Sequence, residues 1–424
     1  MIKYFSSIFT TATFKQSSIT FTATIINGVL GAIFYILAAR FLGPADFGLL
    51  AVTILVFTFI SDISDLGVNT GLVRFVSKYW HENPQKAFRF IKFAIKVKFF
   101  TSTLIIFLGF FLAPLIANNI FKKEVLYFPM LIAFIGVIGM QFYSLSTSLF
   151  QSIQKFWLWG SIQVGTNLIR LILILVLFSL GKLNLLTVLA LFIALPFVGF
   201  IISAKFFPKD LMGVKNDFSV AREYFHYSKW VALSTLLAAL SARLDTFMSA
   251  RLLSPTELGF YGAANQLVAV IPQIVGALGT VLAPKMACMG SKEALIEYFK
   301  KTQLLVFGLA VAAILVSPIV IFLIPNLFGL EYAHAVPALF FVLLLAMLVF
   351  LLATPVHNVI FYYYGYSKLF TWLSLLHLLI VGLAGWYLIP LYGVMGAAVS
   401  VLAAMVVNFF ISLLWVLRRF KIDG

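Results

Sequence analysis

The stretch Ala39-Arg40-Phe41-Leu42-Gly43-Pro44-Ala45-Asp46-Phe47-Gly48 returns 211 residues later as Ala250-Arg251-Leu252-Leu253-Ser254-Pro255-Thr256-Glu257-Leu258-Gly259. Ala, Arg, Leu, Pro, an acid and Gly keep the same spacing in both copies. Each copy ends one apolar run and begins another. Pro at the start of a helix and an acid in its first turn are helix-opening chemistry, which explains Pro44, Asp46, Pro255 and Glu257 locally. The information lies in the repetition. Weaker echoes follow in the same order: Ala113-Pro114 with Ser317-Pro318, Pro129 with Pro337, and Lys155 with Lys368.

Working outward from the motif, the apolar runs define the architecture. Of 424 residues, 62% are hydrophobic and 10% charged, against roughly 45–50% and 25% in soluble domains. Runs of about 20 apolar residues are long enough to cross roughly 30 Å of hydrocarbon. Twelve are expected, at about 17–39, 47–70, 97–119, 126–150, 156–180, 184–204, 226–250, 259–283, 303–325, 335–360, 369–389 and 391–416. The run from Ser17 to Ala39 follows Lys3 and Lys15 and is too long for a signal-peptide core, so it is expected to remain as the first helix. The fold class is therefore an all-α polytopic membrane protein. Pro114, Pro196, Pro272, Pro318 and Pro355 inside spans are tolerated where neighbours satisfy the freed backbone.

Cations set the expected orientation. With a cytoplasmic N-terminus, 23 of the 30 Lys and Arg fall in or beside internal segments. Five are external (Arg40, Lys122, Lys123, Lys182 and Arg251), and Arg170 and Arg243 lie within spans. This bias places both termini in the cytoplasm. The net charge of +16 is then loop charge facing anionic membrane lipids, and nucleic acid is excluded as a partner. The long internal connections at 71–96 and 205–225 are basic and aromatic, and are expected to lie at the interface as amphipathic helices. An even number of spans separates the motif copies. Two parallel six-helix repeats are expected, residues 1–210 and 211–424, in the manner of lobes rocking about a central site.

Other classes are poorly served. Cys288 is the single cysteine, so neither an intramolecular disulfide nor a thiolate metal cluster is available. P-loop, zinc-protease, hydrolase and metal-dependent glycosyltransferase signatures are absent. The sequence thus predicts no enzyme, no cofactor and no metal.

The order of short motifs resembles the polysaccharide-biosynthesis (O-antigen type) flippases of the multidrug/oligosaccharidyl-lipid/polysaccharide exporter superfamily. The resemblance rests on Arg40 to Gly48, on Asp65-Leu66-Gly67 with Arg74, and on Asp245, Arg251 and Glu257 to Tyr261 with Ala263-Ala264. Ile389-Pro390-Leu391-Tyr392-Gly393 leading into Gly396-Ala397-Ala398 completes it. The family implies a V-shaped, MATE-like transporter of the cytoplasmic membrane. Its cargo would be a polyprenyl-diphosphate-linked oligosaccharide, moved outward at the expense of an ion gradient. Glycosyltransferases and a polysaccharide polymerase would be its working partners. The rival readings are a cation-coupled multidrug extruder of the same superfamily and, in another class, a membrane polymerase or ligase. The last usually needs a large external loop, and every external loop here is short.

Intramembrane ionisable residues are the natural candidates for function, because a mid-bilayer charge costs about 2.5–3.5 kcal/mol on insertion scales. Arg170 shares a helical face with Gln163 and Asn167. A forked guanidinium suits a diphosphate; the alternative is an inter-helix clamp on a carboxylate or carbonyls. Leu383 stands at the matching place in the second half, so Arg170 is outside the repeated scaffold. Asp245 matches the family's acidic position and is the first candidate for coupling an ion. On a continuous helix Arg243 would point about 200° away from it, leaving Arg243 to bind phosphate or pair elsewhere. Thr58, Asp62, Asp65 and Asn69 form one polar stripe, in which the carboxylates could share a proton or Asp65 could form a cytoplasmic-end salt bridge to Arg74 or a basic loop residue. Thr20, Thr24, Asn27 and Gly31 form a face that reads as a packing seam, with Asn27 also a candidate for the cavity. Asn265 and Gln273 are further candidates for cavity lining. His357 and His377 are expected as neutral, hydrogen-bonded core residues.

Overall fold

A computed structural model describes residues 12–215 and 217–422, and these are mostly helical, with no strand among them. Lys3 lies outside the described residues. The helices are α1 (Ala12–Ser64), α2 (Val68–Tyr79), α3 (Pro84–Pro114), α4 (Tyr127–Ser152), α5 (Phe156–Ser179), α6 (Leu185–Ala204) and α7 (Phe218–Ser241). They continue with α8 (Leu244–Leu252), α9 (Pro255–Val268), α10 (Val270–Ala287), α11 (Lys292–Phe328), α12 (Val336–Asn358), α13 (Ser367–Tyr392) and α14 (Val394–Ile422). Among the described residues, ten helical runs are long and apolar enough to span a membrane, or eleven when α7 and α8, bent by 48°, count as one broken span. The first, Ser18–Ser64, contains two of the twelve expected segments, which meet where Gly43 leaves helical geometry (φ 72°, ψ 172°). This is a multi-pass membrane protein.

The chain divides into two compact units. One takes residues up to Phe41 and Val52–Leu240; the other takes Leu42–Ala51 and everything from Ser241 onward.

In the first unit, α1 does not continue to residue 70 as expected. It ends at Ser64, and Leu66 and Gly67 turn through positive φ (50° and 71°) before α2 begins. The physical reason is a close approach: a Cβ on Gly67 would lie 2.7 Å from the Ser228 carbonyl oxygen. The carbonyls freed by the turn are met from α7. Ser228 Oγ donates to Gly67 O at 3.2 Å, and the Tyr224 hydroxyl donates to Val68 O. Below the turn, Leu72, Phe75, Phe90, Ile91, Leu149 and Tyr224 form a buried core, with Phe75 and Phe90 stacked at 4.7 Å.

Of the two expected interfacial helices, the first exists as α2, whose Val68, Leu72, Phe75 and Val76 are buried on one side. Residues 84–96 instead open α3, with Asn83 Oδ1 accepting from Lys86 N at 3.0 Å. In place of the second, the described residues before Phe218 hold one short helical turn, Lys209–Met212, between Pro208 and Gly213. That loop is fastened to α3 by Lys92 Nζ donating to Val214 O (2.7 Å) and Arg89 pairing with Asp217 (2.8 Å). Hydrogen bonds from Ser219, with help from Arg89, hold the Asp217 carboxyl below its ordinary range. This fastening is complete above the ordinary carboxylate range and is lost as pH falls through the lowered value.

In the second unit the two copies of the repeated motif pack against each other. A Cβ on Gly48 would lie 1.9 Å from Pro255 O, and one on Gly259 would lie 2.0 Å from Pro44 O. The contact is reciprocal under the 211-residue offset, and only glycine permits it at either position. Ser254 and Glu257 close a capping box at the start of α9, with Glu257 Oε2 accepting from Ser254 N at 2.9 Å. Further along, Met286, Phe299, Val356, Ile360 and Val416 form the buried core joining α10, α11, α12 and α14.

Gly259→Ala should therefore lower stability in detergent by about 1–3 kcal/mol through overpacking. Gly308→Ala, where no atom lies within 4 Å of the added methyl, should leave the unfolding temperature unchanged or slightly raised.

Candidate functional site

Four of the expected polar residues form one chain of hydrogen bonds between α1 and α5. Asn27 Nδ2 donates to Gln163 Oε1 (3.5 Å), Asn167 Nδ2 donates to Asn27 Oδ1 (2.9 Å), and Arg170 Nη1 donates to Asn167 Oδ1 (3.0 Å). The 163, 167, 170 spacing makes this possible by placing the three side chains on one face of α5. Arg170 is half-buried, its guanidinium 4.4 Å from the Phe192 ring centroid and 5.4 Å from that of Phe34. The phenols of Tyr35 and Tyr143 lie nearby. Its Nε is buried without a hydrogen-bond partner, and among the described residues no carboxylate pairs with it. The carboxylate clamp considered for Arg170 is therefore not formed. Uncharged amides and aromatic faces surround the cation, so its charge is solvated but not neutralised.

The expected packing seam on α1 is only partly one. Thr20 and Thr24 bond back to Gln16 O and Thr20 O, at 2.9 and 2.8 Å. Around Gly31 there is open space rather than a neighbouring helix.

A second polar group, also in the first unit, overturns the reading of the Thr58–Asn69 stripe. The turn at 65–67 separates Asn69 from Thr58 and Asp62, so the stripe is not continuous. Asp65 pairs with Lys98 Nζ at 2.5 Å, and Lys98 also donates to Gln141 Oε1. Gln141 Nε2 in turn reaches Ser61 O at 2.8 Å. Asp65 accepts from Asn69 N (3.3 Å), capping α2 as well. It is thus the anion of an ion pair with Lys98, not one of two carboxylates sharing a proton, and Arg74 is not its partner. Asp62 is half-buried and lies nearly one turn earlier on α1. Lys98 is fully buried. Sequence reasoning assigned it to a loop margin, because it stands at the first residues of an apolar run. The overlooked signal was Gln141, a lone amide deep in an equally apolar segment.

In the second unit, Asp245 on α8 accepts a hydrogen bond from the Tyr261 hydroxyl at 2.5 Å and from Thr246 Oγ1 at 3.3 Å. Asn265, one turn beyond Tyr261 on α9, reaches the same phenol, and His377 on α13 lies near the carboxylate. Tyr261 and His377 were not among the expected site residues. Arg243 sits at the break between α7 and α8, where its backbone (φ −129°, ψ 4°) leaves the helix. The opposed-face argument for Arg243 and Asp245 assumed a continuous helix and does not apply. Gln273, beyond a second interruption at Ala269, is exposed on α10 and joins neither group. His357 is held by Ser412 Oγ at 3.4 Å and stands edge-on to Phe370.

The fold is one already known among membrane transporters. The lipid II flippase MurJ, in its inward closed conformation, superposes with a TM-score of 0.75 at 14% identity, over 95% of this chain and 89% of that one. An inward-facing multidrug resistance MATE family transporter of the MOP superfamily gives 0.78 at 10% identity, over 93% and 94%. The eukaryotic MATE transporter AtDTX14 gives 0.58 at 14% identity, over 96% and 95%. No curated protein matches the sequence. The family described as polysaccharide biosynthesis protein matches residues 13–290, well over half of the chain. The chain belongs to that polysaccharide biosynthesis protein family.

Removing only one charge of the buried pair leaves the other unbalanced. Lys98→Met should cost about 3–5 kcal/mol of unfolding free energy. Adding Asp65→Asn should recover much of that loss, so a thermal or denaturant double-mutant cycle is expected to be strongly non-additive.

Proposed function

We propose that this protein is a flippase that moves polyprenyl-diphosphate-linked oligosaccharide repeat units across the cytoplasmic membrane for surface polysaccharide assembly. The observation that carries this reading is Arg170, a cation inside an apolar unit with amide and aromatic neighbours and no paired carboxylate among the described residues. A diphosphate supplies the missing negative charge, and the guanidinium fork offers it parallel donors. Asn27, Gln163 and Asn167 fix the orientation of that fork. They also present amide groups to sugar or phosphate oxygens.

The remaining parts follow. Residues 1–210 and 211–424 are the two repeated lobes, both termini are cytoplasmic, and alternation between inward and outward access moves the cargo. Asp245, with Tyr261, Asn265 and His377 around it, couples an ion to that movement, and Asp62 is the second acidic candidate. Glycosyltransferases supply the cargo and a polymerase consumes it. A cation-coupled multidrug extruder is the second reading. An uncompensated Arg170 weighs against it, because cationic drugs are repelled by such a site.

Deleting the gene should accumulate lipid-linked repeat units on the cytoplasmic leaflet, and the wild-type chain should clear them. Arg170→Gln at equal expression should reduce clearance by roughly tenfold or more, the scale of one lost charge-assisted contact. Full clearance by that variant would remove Arg170 from the site. For Asp245→Asn the expected result is transport that no longer responds to collapse of the ion gradient. An unchanged gradient response would assign the coupling elsewhere.

A further inference from the structure

We propose that the ion coupled at Asp245 is a proton, and that His377 on α13 is the group with which the carboxylate exchanges it. The proposal rests on Asp245 being the coupling residue and adds what it carries and by which route.

The groups around Asp245 suit a proton better than a hard cation. A hard cation is held by several oxygen lone pairs turned toward it. Here the neighbours turn hydrogens inward instead: the Tyr261 hydroxyl donates to Asp245 Oδ2 at 2.5 Å, and Thr246 Oγ1 donates to the same oxygen at 3.3 Å. Asn265 is engaged with the Tyr261 phenol behind them. A carboxylate held by donors takes up a proton through one new O–H bond, with no coordination shell to assemble.

The place of His377 follows from the packing of α13 on α8. Ser241 Oγ donates to Ser374 O at 3.4 Å, one turn before His377. Farther along, a Cβ on Gly382 would lie 3.6 Å from Leu244, and one on Gly385 would lie 3.3 Å from Met248. These contacts run along one side of α13, and the His377 imidazole on that side feels the Asp245 charge. His357 has its ring nitrogen held by Ser412. His377, by contrast, has no hydrogen-bond partner at its ring nitrogens among the described residues. It is half-buried and keeps accessible surface, which gives the proton a way into and out of the pair.

The other ionisable groups nearby are turned away or chemically unsuited. On α9, Glu257 is directed to Ser254 and to the backbone at Gly393. Between Val394 and Phe410, α14 carries no ionisable side chain. Arg243 and Arg251, two residues before Asp245 and nearly two turns beyond it, do not give up a proton in proteins. The short helix Val359–Tyr363, with Tyr362 and Tyr363, meets α13 at Phe370, two turns before His377. In the exchange, an N–H bond of the His377 imidazolium breaks as an O–H bond forms on Asp245, leaving a neutral imidazole and a neutral carboxyl; the return step reverses this. Without its charge Asp245 holds Tyr261 by an ordinary hydrogen bond, roughly half as strong as a charge-assisted one. Protonation therefore loosens α8 from α9.

The test uses the full chain in liposomes containing a pH-sensitive dye, with a radiolabelled farnesyl-diphosphate-linked disaccharide as cargo. A pH gradient at equal sodium should drive the wild type, with proton flux accompanying the cargo, and a sodium gradient at equal pH should not. His377→Gln should bind cargo in nanodiscs as the wild type does, yet lose one limb of the pH–rate profile between about pH 5 and 8. His377→Asn should behave alike, and the wild-type arms decide the ion whatever the stability of the variants. A sodium gradient as effective as the pH gradient, or transport indifferent to both, overturns the proposal while the flippase reading stands. So does an unchanged pH profile in both His377 variants. A wild type that moves no cargo under either gradient overturns the flippase reading and the proposal together.

Discussion

Hydrocarbon offers no partner to a polar group, so a chain that crosses it repeatedly must satisfy its own breaks and charges. The first unit does this at its weakest point. Where the backbone turns at Leu66 and Gly67, hydroxyls of Tyr224 and Ser228 receive the freed carbonyls, and the Asp65 carboxylate receives an orphan amide of α2. The same carboxylate balances Lys98, which also donates to Gln141. Asp245 in the second unit is met by Tyr261 in the same spirit. Against that thoroughness, the Arg170 guanidinium, with a buried, unpartnered Nε and no carboxylate paired with it among the described residues, is conspicuous. Lys98 is neutralised by a carboxylate; Arg170 is instead oriented by amides and rings.

Hydropathy and spacing carry some of this and miss the rest for definite reasons. Span positions are legible because solvation by lipid is a coarse, additive property of about twenty residues at a time. The α5 face is legible because Gln163, Asn167 and Arg170 stand on an unbroken helix, where spacing translates directly into direction. The same arithmetic fails at Asn69 and Arg243, since each follows a break that resets the angular register. Gly67 hints at the first break. Nothing comparable marks the second, where Ala242 and Arg243 are ordinary helix residues. Lys98 escaped notice because one cation at the margin of an apolar run has the same sequence appearance whether it reaches water or is drawn inward. Only the position of Asp65 and Gln141 on neighbouring helices decides that.

The repeat belongs to the scaffold and not to the chemistry. Prolines, acids and glycines of the helix-opening motif recur, yet Arg170 on α5 has no counterpart at Leu383, which is 73% exposed. The Asp245 group likewise belongs to one half alone.

The crossing of the two motif copies has a further meaning. Gly48 rests on Pro255 as Gly259 rests on Pro44, which is the isologous form of a two-fold dimer contact. A chain of half this length, bearing a single copy, would meet a second copy of itself through the same glycine. In such a dimer any substitution at that position would be felt twice, once from each side of the axis. In the single chain each side can vary alone, but the glycine remains obligatory at both, because what it faces is backbone and no change of partner side chain can relieve the clash.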